Sequence, residues 1–295
     1  DMGKTPLANN LADRSDDSIA QKKYDLGLLI CNNCNHIQLN TEIDPKLLFN
    51  EYSYKTGISK TMINHFRVFS QELCKYFRKK NKKIYSDIKI LDIGSNDSAL
   101  LDILSSKGFQ TFGVEPAYNL AKASPHKIFN DFFNNSSIKK IYKEFGTFDV
   151  ITANNVFAHT RELNQFLQNM CYLLKKDGMI SIEVQYLPEL IKNCYIDMIY
   201  HEHSSYHHLK PLNKLFKKHK LVINSVSYIP THGGSMRIIL NNFSEKIILF
   251  KNRDKTDNFI KLDNIFDSHI LKKFDLLKSK VETIKVSLNR SIRIL

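Results

Sequence analysis

The sequence predicts an α/β fold: a doubly wound, largely parallel sheet that ends in an antiparallel hairpin. Three observations carry this reading. From Lys89 onward, short apolar runs alternate with stretches of helical period, the pattern of βα units. The run Ile90-Leu91-Asp92-Ile93 stops at Gly94-Ser95-Asn96-Asp97, a strand followed by a tight turn and a helix start. Two later runs, Leu221 to Tyr228 and Ser235 to Asn241, flank a short loop containing Gly233 and Gly234, which makes them antiparallel partners.

Composition bounds the rest. With 295 residues, 42% hydrophobic and 25% charged, the sequence is ordinarily globular, which excludes collagen, a disordered tail and a disulfide-held mini-protein. The length suits roughly two domains, or one large α/β domain with an appendage. No stretch approaches the roughly twenty apolar residues of a membrane span and no leader opens the sequence, so a soluble, cytoplasmic protein without a membrane partner is expected. The first residue is Asp1 rather than Met, and a segment of a longer protein is expected. An excess of 43 Lys and Arg over 30 Asp and Glu gives +13, a field suited to an anionic partner. Charge alone does not choose among nucleic acid, membrane surface and phosphorylated metabolite.

In chain order, the first chemical feature is Cys31-Asn32-Asn33-Cys34, a spacing that puts two thiolates on one metal, although structural zinc takes four ligands. His36 is too close to serve as a third ligand on the same knuckle, and Cys74, Cys171 and Cys194 lie in segments that read as helices or a loop. Two readings stay open: two reduced cysteines at a strand end, or half of a zinc site whose other pair precedes Asp1. Five cysteines, an odd number, argue against a disulfide framework. Tyr54 sits in the polar aromatic loop Glu51 to Thr56, either closing over a cofactor or forming an exposed turn. Ile58, Met62, Phe66, Phe69, Leu73 and Phe77 then predict an amphipathic helix from Ser59 to Arg78. The cations Arg78, Lys79, Lys80, Lys82 and Lys83 at its end complement the helix dipole.

After Gly94, the residues Leu100, Leu101 and Leu104 begin a helix, so backbone amides and small side chains allow close approach of a ligand. A second strand, Thr111 to Glu115, ends in a carboxylate twenty-one residues after Gly94, where such folds place the acid that binds both ribose hydroxyls. Positions 96 and 99 hold Asn96 and Ala99 rather than the glycines of a dinucleotide fingerprint. An acidic turn with Asp92 and Asp97 suits a cofactor with a positive amino-acid end, and S-adenosylmethionine is the obvious one. A strand from Phe148 to Ile151 ends in the polar stretch Thr152 to Asn155, which makes Asn154 a further cofactor candidate. Leu163, Phe166, Leu167, Met170 and Leu174 mark a helix, Gly178 a stop, and Met179 to Val184 a fifth strand. Five parallel strands followed by a hairpin are the organisation of a class I methyltransferase.

The segment Tyr200 to His208 concentrates four of the eleven histidines in nine residues. HExxH is absent because position 205 is Ser205, and adjacent histidines do not all face one ion. If extended, His201 and His203 share a face; if helical, Tyr200 meets His203, or His203 meets His207. Either geometry supports proton transfer, since a histidine held by a neighbouring carboxylate removes an acidic proton near neutral pH. His159 follows the fourth strand, as a ligand contact or a helix cap. His232-Gly233-Gly234-Ser235-Met236-Arg237 supplies open amides and a guanidinium for phosphate, or else a hairpin with a surface arginine.

These residues carry a resemblance. In order along the chain, MGKTPLAN, CNNCNHIQL, YSYKTGISKTM, LDIGSNDSALL, GVEPAYNLA, ITANNVFAHT, IEVQYLPEL, IYHEHSSYHHL and THGGSMRI resemble the S-adenosylmethionine-dependent C-methyltransferases of nucleotide-linked 4-keto-deoxysugars. The resemblance implies a partial amino-terminal zinc module over residues 1–55, with Cys31 and Cys34 as half of its zinc site. It further implies a methyltransferase domain over 56–241 and the start of a carboxyl-terminal nucleotide-sugar-binding domain over 242–295. It maps the catalytic positions onto Tyr54, His159, Tyr200, Glu202 and His203. His203 would be the general base, Glu202 would orient or tune a histidine, and Tyr200 and His159 would bond the enolate or sugar hydroxyls. Gly94, Asn96, Asp97 and Glu115 match its cofactor motif, Phe132 flanks the adenine, and His201, His232 and Arg237 are expected on the nucleotide-diphosphate sugar. One departure is Ser98, where the family turn usually has another glycine.

Two other functions compete: an O-methyltransferase on a sugar hydroxyl, and a zinc-knuckle nucleic-acid-binding protein, which lacks an aromatic-basic motif and a complete finger here. No nucleic-acid partner is expected, and a monomer is. Finally, Leu262, Phe266, Ile270, Phe274, Leu277, Val281 and Ile284 predict one long amphipathic helix.

Overall fold

The computed structural model describes residues 1–11, 14, 17, 20–80, 84–242 and 253–292. Lys82 and Lys83 of the expected basic run lie outside these residues. The amino-terminal part holds four short strands, β1 (Lys4–Thr5), β2 (Tyr24–Asp25), β3 (Leu28–Ile30) and β4 (Ile37–Leu39), then helix α1 (Pro45–Phe49). Helix α2 (Lys60–Lys79) starts where the Ser59 hydroxyl accepts the Met62 amide and ends with Arg78 and Lys79 on its carboxyl turn. Ile58 falls in the short 3-10 turn before it and is exposed, so the buried stripe begins at Met62.

The βα units follow: β5 (Lys89–Ile93), α3 (Ala99–Ser105), β6 (Gln110–Val114), α4 (Tyr118–Ala123), β7 (Lys127–Phe129), α5 (Asn135–Phe145), β8 (Phe148–Asn154) and α6 (Leu163–Leu173). Next come β9 (Leu174–Gln185), α7 (Leu187–Asn193), β10 (Ser205–Tyr206), α8 (Leu209–Lys218), β11 (Leu221–Ile229) and β12 (Ser235–Asn242). The main sheet has the order β11-β12-β9-β8-β5-β6-β7, parallel from β9 to β7 and antiparallel where β12 meets β9 and β11. The predicted mixed sheet and hairpin are thus both present. Gly178 lies inside β9 rather than before it, near a register shift in the pairing with β8.

Alternation sends each strand to two cores. β5 gives Leu91 and Ile93 to the face covered by α5, α6 and α8, and Ile90 to the face covered by α2 and α3. Strand order reverses between β5 and β8, so a crevice opens at their carboxyl ends.

The carboxyl-terminal residues form two helices, α9 (Arg253–Ser268) and α10 (Ile270–Ile292), rather than the one expected. The break falls at His269, whose amide tightens onto the Phe266 carbonyl. Phe266, Ile270 and Leu277 are buried against β4 and α7, whereas Leu262 and Ile284 are exposed. Asp263 accepts the Leu209 and Lys210 amides at the start of α8 and the Tyr186 hydroxyl. No helix among the described residues is long and apolar enough to cross a membrane.

Candidate active site

A cavity of about 1040 Å³ occupies the crevice. Its floor comes from the ends of β5, β6 and β8, its roof from the loop after α1, and one wall from residues 198–204. Of the candidates, Gly94, Asn96, Glu115, Phe132, Asn154, Tyr54, His159, Tyr200, His201, Glu202, His203 and His232 all line it.

The cofactor turn explains its own sequence. Gly94 has φ +66°, and a Cβ there would lie 2.4 Å from Val156 Cγ2, so the position requires glycine twice over. Asn96 follows in the left-handed region, and its amide donates to Glu115 Oε2 at 2.7 Å. Glu115 Oε1 accepts the Ala117 amide at 2.9 Å, which aims the carboxylate while burial raises its pKa. Ser98 also takes φ +67°, the conformation a glycine adopts without cost, and its buried hydroxyl bonds Ser124 Oγ at 2.6 Å. Asp92 accepts the Thr152 hydroxyl at 2.6 Å and, fully buried, is pushed up to about 7 by desolvation.

Several buried polar atoms lining this cavity have no protein partner: Ser95 Oγ, Asn154 Oδ1, His159 Nδ1 and Gln185 Oε1. Such orphans, beside the carboxylate of Glu115 and the ring of Phe132, fit a ligand with a ribose, an adenine and a charged amino-acid end. These are the parts of S-adenosylmethionine.

Asn96 and Asp97 do something the spacing did not disclose. Asn96 Oδ1 accepts the Thr56 amide at 2.9 Å and its Nδ2 donates to the Tyr54 carbonyl at 3.0 Å. Asp97 Oδ2 accepts the Gly57 amide at 2.9 Å and the residue lies outside the main cavity, so its side chain holds the loop rather than facing a cofactor. Together they clasp residues 54–57 onto the cofactor turn. Asn119 adds a reciprocal pair with the backbone of Tyr52.

On the opposite wall, residues 200–203 form a turn that brings His203 back to Tyr200, the pairing expected of helical spacing. His203 Nδ1 lies 3.1 Å from the Met198 carbonyl, which fixes the proton on Nδ1 and leaves the Nε2 lone pair facing the Tyr200 hydroxyl, also at 3.1 Å. Burial lowers His203 to about 4 and His159, edge-on to it at 5.1 Å, to about 3. Both rings are neutral at physiological pH. Desolvation raises the Tyr200 phenol, helped by the charge of Glu202.

Glu202 departs from expectation. It does not orient a histidine: Oε2 accepts the Tyr52 hydroxyl at 3.0 Å and Oε1 accepts the Asn9 side-chain amide. Both donors went unassigned in the sequence, although Tyr52 alternates with Tyr54 and therefore shares its face. His201 Nε2 meets the Asp25 carbonyl at 3.2 Å and its ring lies edge-on to Tyr24. His232 has φ +50° in the hairpin loop, with a pKa lowered by burial.

Arg237 is a correction. Its guanidinium is neither on the surface nor in the cavity; it is buried against Glu183 Oε2 at 2.9 Å, with Glu72 at 3.4 Å, His65 at 2.8 Å and the Phe69 ring 4.3 Å away. The alternation of β12 turns it onto the α2 face, where it neutralises Glu183. A phosphate has no access to it.

Cys31 and Cys34 follow β3 on a tight turn closed by the Asn35 amide on the Cys31 carbonyl. Among the described residues no third His, Cys, Asp or Glu joins them in a metal-sized cluster. His36 turns away to Ser205 Oγ at 3.3 Å and the ring of His207. The pair supplies two thiols of the four donors that structural zinc takes. Its strand neighbour has a direct bearing on the site, because β4 pairs with β10, the strand that follows His203.

Comparisons with known proteins agree with this architecture. A family described as a methyltransferase domain matches residues 63–226, and one described as a putative zinc binding domain matches residues 1–49. C-methyltransferase NovU of Streptomyces niveus is 31% identical over 238 residues, which are 80% of this chain and 56% of that protein. The mitochondrial ubiquinone biosynthesis O-methyltransferase of Bos taurus is 32% identical over 108 residues, 34% of this chain and 29% of that one. The chain spans about half the length of the first of these relatives, or less of the second. Among solved structures, the plantazolicin methyltransferase BpumL in complex with SAH superposes with a TM-score of 0.49 at 14% identity, covering 62% of this chain and 86% of that one. With more than half of its residues matched from the start of α2 into β11, this chain belongs to the methyltransferase domain family.

Proposed function

We propose that the chain is an S-adenosylmethionine-dependent C-methyltransferase acting on a nucleotide-linked 4-keto-deoxysugar. The observation that carries the reading is His203: a neutral imidazole with its Nδ1 proton engaged and its Nε2 lone pair presented to the cavity beside Tyr200. Bound cofactor supplies an electrophilic methyl group on sulfur. Next to a ketone, a C–H proton is acidic enough to move to His203 Nε2, and the pair of electrons left behind makes the carbon a nucleophile. As Nε2 takes that proton, the Tyr200 hydroxyl is released from it and, with neutral His159, donates to the developing oxyanion. Tyr54, whose backbone is clasped to the cofactor turn through Asn96 and which lines the cavity, would orient cofactor and acceptor. The name of the Streptomyces niveus relative supports a carbon acceptor.

Cys31 and Cys34 would hold a structural zinc with two donors from outside the described residues, in keeping with the family match over 1–49. The +13 charge suits a nucleotide diphosphate, and of the expected contacts His201 and His232 line the cavity while Arg237 is excluded. The protein would work in the cytoplasm, where such sugars are made.

The test supplies isotope-labelled cofactor and a panel of nucleotide-linked keto sugars, with mass spectrometry and NMR of the products. A carbon-linked labelled methyl is expected, absent from His203→Gln. An oxygen-linked methyl, or transfer retained by His203→Gln, overturns the reading.

A further inference from the structure

Glu202 is buried, 3% exposed, and no Lys, Arg or His among the described residues forms an ion pair with it. A carboxylate in that setting reverts to the neutral acid unless hydrogen bonds hold the charged form. Here two neutral donors supply them, one to each oxygen. The Tyr52 hydroxyl takes Oε2 and the Asn9 amide takes Oε1. Both come from outside the matched methyltransferase domain, Asn9 from the matched amino-terminal module and Tyr52 from the loop behind it. Desolvation raises the Glu202 pKa above the ordinary carboxylate value, and these two bonds offset part of that rise.

We propose that Tyr52 and Asn9 are positioning residues that clamp Glu202 as an anion in the wall of the methyl-transfer cavity, so that the amino-terminal module completes the site. The inference rests on the function proposed above and adds what the module contributes to it. Other groups around Glu202 are acceptors' neighbours rather than counter-ions. Tyr200 on the same turn and Tyr54 on the loop are phenols, both raised by desolvation, and His159 and His203 are neutral. On this proposal the anion, in the same cavity lining as His203, favours the imidazolium formed when His203 Nε2 takes a proton. The phenols feel the same charge and remain donors.

Tyr52 is also held at its backbone by Asn119 and, through residues 54–57, by Asn96 on the cofactor turn. The clamp is thus tied by hydrogen bonds to the cofactor turn.

The test uses the full chain with Tyr52→Phe, Asn9→Ala and the double variant, and Glu202→Gln to assign the signal. Two readouts are taken: titration of the Glu202 carboxyl by carbon-13 NMR of glutamate-labelled protein, and the acid limb of kcat/KM. Losing a donor to the charged form raises the carboxyl's pKa, so Tyr52→Phe is expected to move the midpoint up by about one pH unit and the double variant further. The acid limb is expected to move with it, with roughly tenfold less activity on the acid side at one unit of displacement. Added to Glu202→Gln, Tyr52→Phe is expected to cause no further displacement. An unchanged NMR midpoint in the double variant, or an acid limb that stays in place while the midpoint moves, overturns the clamp. Absence of transfer to every keto sugar counts against the proposed function instead, since the NMR titration needs no acceptor.

Discussion

Gly94→Ala isolates the geometry on which the cofactor site stands. Gly94 has φ +66°, and an alanine methyl would sit 2.4 Å from Val156 Cγ2, 3.4 Å from Cγ1 and 3.5 Å from Cβ. The left-handed backbone costs an L-residue about 1–2 kcal/mol. Contact at 2.4 Å forces Val156 or the turn to move, and overpacking of this kind costs about 1–3 kcal/mol. The smaller backbone entropy of an unfolded alanine offsets about 0.4–1 kcal/mol. A net loss of about 2–4 kcal/mol results, which for a chain of this size lowers the midpoint of thermal unfolding by roughly 4–10 °C. Differential scanning calorimetry measures it, and titration of S-adenosylmethionine by isothermal calorimetry follows the site. Val156 adjoins Asn155 and both line the cavity, so displacing it also weakens cofactor binding.

The clash and the backbone strain separate in a double-mutant cycle. Val156→Ala removes the two γ-methyl groups that meet the new Cβ, so the pair is expected to couple favourably by about 1–2 kcal/mol, while the left-handed cost stays. A Gly94→Ala protein that melts within a degree of the wild type, or a cycle with no coupling, refutes the account of why glycine stands there.

Four further outcomes follow from the same geometry. His203→Gln is expected to lower methyl transfer by about 10²–10⁴-fold while cofactor titrates as in the wild type; equal activity would remove the base. Glu115→Gln keeps the shape but loses the charge that strengthens its bonds, so calorimetry is expected to show cofactor binding weakened by about 1.5–3 kcal/mol. Arg237→Met leaves Glu183 buried without its cation and is expected to cost about 3–5 kcal/mol in denaturant unfolding, and a variant as stable as the wild type would contradict the buried pair. His159, His203 and His207 are buried neutral with folded pKa values below 6.5, so the unfolded chain binds more protons than the folded one once the pH falls below that value. Their contribution is fully present above about pH 6.5 and is lost as the pH falls, down to about 4 for His203 and about 3 for His159, each costing roughly 1.4 kcal/mol per pH unit over its window, measurable as a falling denaturant midpoint.

The sheet was legible because its signals are local. Apolar runs, a glycine at the first strand end and an acid at the second depend on residues within about twenty positions of one another, and β5, β6 and the hairpin fall within a residue of the predicted limits. The site was legible as membership more than as roles. Twelve of the candidate residues line the cavity, but their partners are set by contacts far apart in sequence. Glu202 bonds Asn9, 193 positions away, and Tyr52, 150 positions away, and no spacing rule reaches that far. Arg237 illustrates the opposite error. An arginine beside two glycines reads as a phosphate contact, yet strand alternation decides its side of the sheet, and the acid that captures it is on a neighbouring strand. The helix break at His269 is a third case, since the apolar period continues through it and only packing against β4 and α7 divides the run.

These long-range contacts also say why the amino-terminal module and the methyltransferase domain belong to one active site. β10 follows directly from the His203 turn, and its two residues pair with Gln38 and Ile37 of β4, so the turn that carries the base is anchored in the module's own sheet. Ser204 fixes the other side of the turn by donating to the Ala158 carbonyl, next to His159. Asn35, on the cysteine turn, reaches Asp267 of α9, which also takes His208 at 3.0 Å. The cysteine turn is thus connected towards the His203 turn by two runs of contacts, one along β4 and β10 and one through Asp267 and His208. Ile37→Ala should test the first connection: it removes a buried side chain at the β4–β10 pairing, costing about 2–5 kcal/mol, and is expected to reduce transfer at saturating cofactor before it reduces cofactor affinity, because Gly94 and Glu115 follow β5 and β6, strands of a sheet in which β4 and β10 take no part. Equal losses in both would mean that the module supports the whole fold rather than the acceptor wall.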